Sequence, residues 1–74
     1  MKINELKAKL KELNVPSALY SLGGGLPSEK YCIEERSGRW YTYYSERGER
    51  TGLKEFVSEE DACEHFLKEI KRGL

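Results

Sequence analysis

The chain has 74 residues, of which 38% are hydrophobic and 35% are charged, and its 13 basic residues balance its 13 acidic ones. This length predicts one small α+β domain, residues 1–74, with a modest core. No stretch approaches the roughly 20 consecutive apolar residues that a membrane-spanning helix needs. The formal net charge of zero argues against nucleic acid as a partner, because nucleic-acid-binding modules usually carry a clear basic excess.

An apolar stripe at helical spacing predicts a first helix near the N-terminus. Its members are Ile3, Leu6, Leu10 and Leu13. Asn4 is the predicted N-cap, with Ile3 and Ala8 placed as a hydrophobic staple. Pro16 follows the end of the helix, because the residue before a proline avoids the helical conformation.

A connector over residues 16–28 comes next, and it admits a short strand near residue 20. Its centre is the run Gly23, Gly24 and Gly25. A phosphate-binding loop would require Lys and then Ser or Thr after the glycines, at the start of a helix, and this run meets neither requirement. We therefore predict a loop with positive φ angles that is free to adapt its shape to a neighbouring part of the chain or to a partner.

Three strands are predicted after the connector, because their residues favour a pleated sheet and turn signals separate them. They cover residues 29–35, 40–44 and 49–56. Residues 45–48 read as a type I turn with Gly48 in the left-handed region, which would close a hairpin with a bulge. Gly52 marks the last strand as bulged or short, and Leu53 and Phe56 are its predicted core residues.

The middle strand is the most aromatic part of the chain. Alternation places Trp40, Thr42 and Tyr44 on one face and Tyr41 and Tyr43 on the other. Two interpretations stay open: cross-strand packing of the rings, or a sheet face that binds a partner. The turn residues Glu46 and Arg47 are likewise either solubilising or part of a charged recognition element.

A second helix is predicted from Ser58 onwards. Ser58 is the predicted N-cap, Asp61 is placed to answer it as in a capping box, and Val57 and Ala62 fit a hydrophobic staple. The broad apolar face of this helix consists of Ala62, Cys63, Phe66, Leu67 and Ile70. The fold class is therefore α+β: a helix, a three-stranded antiparallel meander and a helix, with both helices on one face of the sheet and the other face open.

The chain lacks the side-chain sets that metal sites and nucleophilic catalysis require. Cys63 and His65 are two residues apart on a helix and point to nearly opposite sides, and neither a Cys-x-x-Cys nor a His-x-x-x-His pair exists. No motif supports a nucleophile beside His65. We predict no catalytic residue, no metal ligand and no cofactor. The first residues lack the apolar segment of a signal peptide, so we expect a cytoplasmic protein with Cys32 and Cys63 reduced.

The order helix, three strands, helix is also that of the double-stranded-RNA-binding domain. That domain places a lysine-rich start of its second helix on phosphates. Here the corresponding residues are Ser58, Glu59, Glu60 and Asp61, which would repel phosphates. Nucleic-acid binding by a module of this helix–β3–helix order is kept as the alternative function.

The chain also resembles a known family. The matching positions are residues 20–27, Glu29, residues 40–48, Phe56, Ser58, Glu59, Ala62 and Cys63. Over most of the chain from Tyr20 to Leu67, they resemble the small immunity proteins of bacterial polymorphic-toxin systems. The resemblance implies a cytoplasmic bacterial protein that binds and neutralises a cognate toxin domain, with no catalysis and no cofactor.

A non-catalytic protein-binding module is therefore the function that the sequence favours. The predicted partner-binding residues are Tyr41, Tyr43, Glu46 and Arg47, together with Gly23, Gly24 and Gly25 of the glycine loop. They combine an aromatic and charged sheet face with an adaptable loop. The neutral net charge does not favour a nuclease as the target, and the chain is expected to be a monomer or a weak dimer.

Overall fold

A computed structural model describes residues 1–73, which form two helices and one four-stranded sheet. The elements in chain order are α1 (Ile3–Glu12), a 3-10 turn (Ser17–Leu19), β1 (Tyr20–Ser21), β2 (Lys30–Arg36), β3 (Arg39–Glu46), β4 (Glu49–Phe56) and α2 (Glu59–Gly73). The predicted α+β class and the order of helix, strands and helix are confirmed. Neither helix in residues 1–73 combines the length and the apolar character that crossing a membrane requires.

The sheet differs from the prediction in its number of strands and in its topology. Its order is β1-β2-β3-β4, and β1 runs parallel to β2 whereas the other pairs are antiparallel. The predicted three-stranded antiparallel meander is present as β2, β3 and β4, and the short strand that the prediction allowed near residue 20 adds a fourth strand to it. β1 consists of Tyr20 and Ser21 alone, which is too short for an alternating pattern to identify it or to give its direction.

Two-residue turns join the three long strands. Ser37 and Gly38 have φ angles of 53° and 80°, and Arg47 and Gly48 have φ angles of 51° and 75°. Positive φ at both central residues is the signature of a type I′ turn, whose twist matches that of the flanking strands. The predicted type I turn over residues 45–48 is therefore wrong, although the positive φ of Gly48 is confirmed.

The irregularity that the sequence suggested for β4 is present. The register between β3 and β4 shifts between Thr42 and Tyr44, opposite Gly52, whose φ is 66°. Glycine adopts this conformation without the steric cost that a side chain brings. The predicted core position of Leu53 is wrong, since its side chain is 53% exposed, whereas Phe56 packs against the core as predicted.

The core lies between the helices and one face of the sheet. Its buried members are Leu6, Leu10, Val15, Ile33, Ala62, Cys63, Phe66, Leu67 and Ile70. Phe66 stacks on Tyr31 with 4.9 Å between ring centroids, and Tyr20 meets Phe66 edge-on at 6.4 Å. The predicted apolar face of α2 is confirmed at every position, and α1 buries Leu6 and Leu10 of its predicted stripe.

The helix starts correct two predictions and confirm one. The backbone N–H of Lys2 donates to Glu5 Oε1 at 3.2 Å, so α1 begins before Asn4 and the predicted cap is wrong. At α2 the Asp61 N–H donates to Ser58 Oγ at 3.1 Å, which confirms the Ser58 cap. Val57 is 79% exposed, so it forms no staple.

Candidate partner-binding surface

Register divides the side chains of the sheet between two faces, because directly opposed residues in antiparallel strands share a face. The helix face, which α2 covers, carries Tyr31, Ile33, Trp40, Thr42 and Phe56. The opposite side, called the open face below, carries Cys32, Glu34, Tyr41, Tyr43, Arg50 and Glu55. The predicted separation of Tyr41 and Tyr43 from Trp40, Thr42 and Tyr44 is confirmed.

Tyr43 does not contact solvent, because the glycine loop folds over it. Its side chain is 0% exposed, and its hydroxyl oxygen lies 2.7 Å from the carbonyl oxygen of Gly25 and 2.8 Å from Glu34 Oε1. A phenol has one proton, so it donates to one of these two acceptors at a time. The prediction that Tyr43 contacts a partner directly is wrong; it joins the loop to the sheet.

Glu34 lies at the centre of a set of polar contacts, called the Glu34 network below. Besides the Tyr43 hydroxyl, it accepts the Gly25 N–H at 3.2 Å, and it pairs with Arg36 Nη2 at 2.8 Å and Arg50 Nη2 at 3.9 Å. Burial alone would raise the pKa of Glu34, but the hydrogen bonds from Tyr43 and Gly25 and the two arginines hold it below its usual value. The carboxylate is therefore charged at neutral pH.

The same network keeps Tyr43 protonated. Burial, and then the hydrogen bond to the Glu34 carboxylate, raise the pKa of Tyr43 to about 12. The Arg50 guanidinium lies 5.0 Å from the centroid of the Tyr43 ring, within the range of a cation–π contact. The sequence analysis assigned no role to Glu34; the signal that identifies it is that Glu34 and Tyr43 share a face on neighbouring strands.

The glycine loop is held in place rather than free to adapt. Gly24 and Gly25 have φ angles of 73° and 83°, which confirms the predicted positive φ for these two. A Cβ atom on Gly24 would lie 2.5 Å from the Cβ of Glu34, so the loop backbone approaches the sheet as closely as glycine allows. Gly23 has open space around its Cα. Of the two alternatives, the loop therefore adapts its shape to a neighbouring part of the chain at Gly24 and Gly25.

The predicted binding residues do not meet on one surface. Tyr41 is half-buried on the open face, opposite Glu55, which pairs with Arg39. Glu46 is two residues after Tyr44 on the same strand, so both side chains lie on the helix face. Glu46 is about 17 Å along the strand from Tyr41, at ~3.3 Å per residue. Arg47 is exposed at the tip of the hairpin.

A groove on the helix face is lined by Tyr44 and Thr51, which are opposed in the same hairpin two residues before and after its tip pair. It has a volume of about 500 Å³, within the range of about 300–1,000 Å³ that is usual for ligand sites. Its lining includes the apolar surface of Leu19, Tyr31, Tyr44 and Ile70 and the polar side chains of Glu29, Lys54, His65 and Glu69. Tyr44 and Leu19 are exposed although they are large and apolar. Tyr44 was predicted to share a face with Trp40, but no sequence signal placed its ring beyond the cover of α2.

The groups that could carry out acid–base or nucleophilic chemistry are poorly suited to it. Burial raises the pKa of Cys63 to about 11 and raises that of Cys32, so both thiols are protonated at neutral pH. They are free, and the sheet separates them. Burial lowers the pKa of His65, although Glu69, 3.7 Å away, opposes that shift. Within residues 1–73, no three His, Cys, Asp or Glu side chains are grouped so as to hold a metal ion.

Comparison with known proteins adds no relative to this description. No protein-family model, no curated protein and no solved structure matches the chain.

Proposed function

We propose that this chain is a non-catalytic protein-binding module, and that its groove, with the adjoining hairpin tip, receives a side chain of a partner protein. The observation that carries the proposal is the groove itself, where Tyr31 and Tyr44 offer ring surface to solvent. Tyrosines supply large contact areas at a low cost in conformational entropy, and they are enriched at protein interfaces.

Charge at the border of the groove adds selectivity to this apolar contact. Glu29, Lys54 and Glu69 line the groove. Glu46 lies two residues beyond Tyr44 on the same face, and Arg47 is exposed in the turn that follows. Such rim charges steer association and disfavour wrong partners more than they add affinity. The two-residue turns and the Glu34 network keep the sheet rigid, so little ordering is needed when a partner binds.

The resemblance to immunity proteins supplies the class of partner in this proposal, a toxin domain of a bacterial polymorphic-toxin system. In that role the chain acts in the cytoplasm, where its free thiols stay reduced, and it neutralises the toxin by occupying a surface that the toxin needs. The low thiolate content of Cys32 and Cys63 supports a role without catalysis.

The test is a pull-down from lysate of the source cell, with nuclease treatment, that compares the wild type with three variants. Tyr44→Ala removes the exposed ring of the groove, Tyr41→Ala removes the tyrosine of the open face, and Lys7→Ala on the exposed side of α1 is the control. We expect one protein that the wild type, Tyr41→Ala and Lys7→Ala retain and that Tyr44→Ala loses. That protein should arrest growth when expressed alone and be tolerated when co-expressed with the wild type.

Three results would contradict the proposal. If Tyr41→Ala lost the captured protein and Tyr44→Ala retained it, the binding site would lie on the open face. Capture that disappears after nuclease treatment would favour the nucleic-acid alternative. If the captured protein were harmless when expressed alone, the partner would not be a toxin.

A further inference from the structure

The outer edge of β4 is unpaired in residues 1–73, because β4 is the last strand in the order of the sheet. The two-residue turn closes with Glu46 and Glu49 hydrogen-bonded to each other. Opposed pairs in an antiparallel ladder then alternate between bonded and non-bonded. The backbone groups of Glu49 and Thr51 therefore point towards β3, and those of Arg50 point to the free edge.

The bulge at Gly52 changes which residues share a face along β4. Arg50 is opposite Ser45 and Glu55 is opposite Tyr41, so both lie on the open face although five positions separate them. In a regular strand an odd separation would put them on opposite faces. Leu53 lies between them on the same face. As a result, Arg50, Leu53 and Glu55 are the residues whose backbone groups are free at the edge.

This edge is complementary to itself. Let a second copy of β4 run antiparallel with Leu53 opposite its own counterpart, and let Gly52 remain the extra residue of the bulge in each copy. Arg50 of each copy then lies opposite Glu55 of the other. Opposite charges in directly opposed positions stabilise a sheet, and like charges destabilise it. Within one chain Arg50 already pairs with Glu34 and Glu55 with Arg39, so the contacts across the axis extend these pairs rather than engage free charges. Sliding the register two positions towards the end of β4 would put Lys54 opposite its own counterpart and lose both charge pairs. Gly52 adds no side chain to the edge.

We infer that the chain forms a symmetric homodimer through the edge of β4, with Leu53 on the two-fold axis. The two four-stranded sheets join into one continuous sheet, and the contact is isologous, so each favourable pair occurs twice. The exposure of Leu53 fits this role, because a large apolar side chain on an unpaired edge otherwise favours uncontrolled pairing. The inference does not rest on the proposed function, although Thr51, Gly52 and Lys54 of β4 also line the groove.

Sedimentation velocity of the purified chain, from micromolar to millimolar concentration, tests the inference. We expect a monomer–dimer equilibrium in the wild type. Leu53→Lys should weaken the dimer by at least roughly tenfold, because it opposes two like charges on the axis. Leu13→Lys, at another exposed leucine, is the matched control and should leave the equilibrium unchanged. Circular dichroism checks that each variant is folded.

A covalent trap gives a second measurement that does not depend on affinity. Bonded pairs in an antiparallel ladder have Cα atoms about 5.5 Å apart, which suits a disulfide. With oxidised glutathione as the oxidant, Leu53→Cys should give a disulfide-linked dimer, whereas Leu13→Cys should not; the buried native thiols do not compete. A wild type that stays monomeric at millimolar concentration would overturn the inference, and so would a dimer that Leu53→Lys leaves intact.

Discussion

Glu34 connects three parts of the molecule that are distant in sequence. One carboxylate accepts the Gly25 N–H from the loop, contacts the Tyr43 hydroxyl on β3 and pairs with Arg50 on β4. Its side chain is only 11% exposed, so solvent screens these contacts weakly. Removing one member of such a network leaves the others without partners, which costs more than the contact itself contributes.

The lowered pKa of Glu34 makes stability depend on pH in a defined direction. A carboxyl whose pKa is lower in the folded state stabilises the fold above its unfolded value, 4.5, and this contribution is lost as the pH falls through the folded value. We expect Glu34→Gln to lower the free energy of unfolding by about 1–3 kcal/mol at pH 7. The difference from the wild type should shrink below pH 4.5. Urea titrations at several pH values measure it.

The control for this prediction is Glu35→Gln, one residue along β2. The side chain of Glu35 is exposed on the helix face of the sheet and is not part of the Glu34 network. Its substitution should change stability little at any pH. A Glu34→Gln variant whose stability tracks that of the wild type across the acid range would show that the network contributes nothing.

Gly24 and Gly23 differ in their surroundings, and this makes a matched pair of substitutions. Gly24→Ala meets both a φ of 73° and the approach of the loop to Glu34, so we expect a loss of at least about 2 kcal/mol in the free energy of unfolding. Gly23→Ala meets neither obstacle and should be nearly neutral. Equal effects in thermal unfolding would mean that the loop is not held against the sheet as described.

At the scale of elements, the hairpin turns contain strained residues that stability alone would not select. Arg47 and Ser37 both have positive φ, at 51° and 53°. Most side chains pay a steric penalty there, whereas Asn tolerates the conformation and is preferred at this position of a type I′ turn. Ser37 lies at the opposite end of β3 from the groove, whereas Arg47 follows the end of β3 that carries Tyr44.

We therefore expect Arg47→Asn and Ser37→Asn each to raise the free energy of unfolding by about 0.5–1 kcal/mol. Only Arg47→Asn should weaken binding of the proposed partner, because it alone removes a charge beside the groove. Denaturant unfolding gives the stabilities, and calorimetric titration with the captured partner gives the affinities. Partner affinity that is unchanged by Arg47→Asn would exclude the hairpin tip from the interface.

At the scale of the whole molecule, the sequence predicts what periodicity and capping determine locally. The apolar face of α2, the Ser58 cap and the three long strands follow from patterns that extend over many residues. The direction of β1 and the length of the turns do not follow, because they depend on pairings between residues that are far apart in sequence. The misplaced cap at Asn4 belongs to the same class, since the start of α1 is tied to Glu59 across the core.

The candidate site was harder to predict than the fold. The alternation of side chains along β3 correctly predicted which residues share a face. It did not predict which tyrosines are exposed to solvent. The loop covers Tyr43, while α2 covers Trp40 and leaves Tyr44 at the border of the groove. The exposure of side chains on this small sheet depends on how far a loop and a helix extend over it. The sequence of the strand does not determine either extent.

The packing of α1 against α2 has a consequence for how the chain is made. β2, β3 and β4 are neighbours in sequence and meet through two-residue turns, so they can pair soon after synthesis. α1 is made first, yet it packs on α2, which is made after every strand, and the Ile3 N–H reaches Glu59 Oε2 over 2.8 Å. During synthesis, α1 therefore lacks its packing partner until α2 has left the ribosome, and the core can form only then.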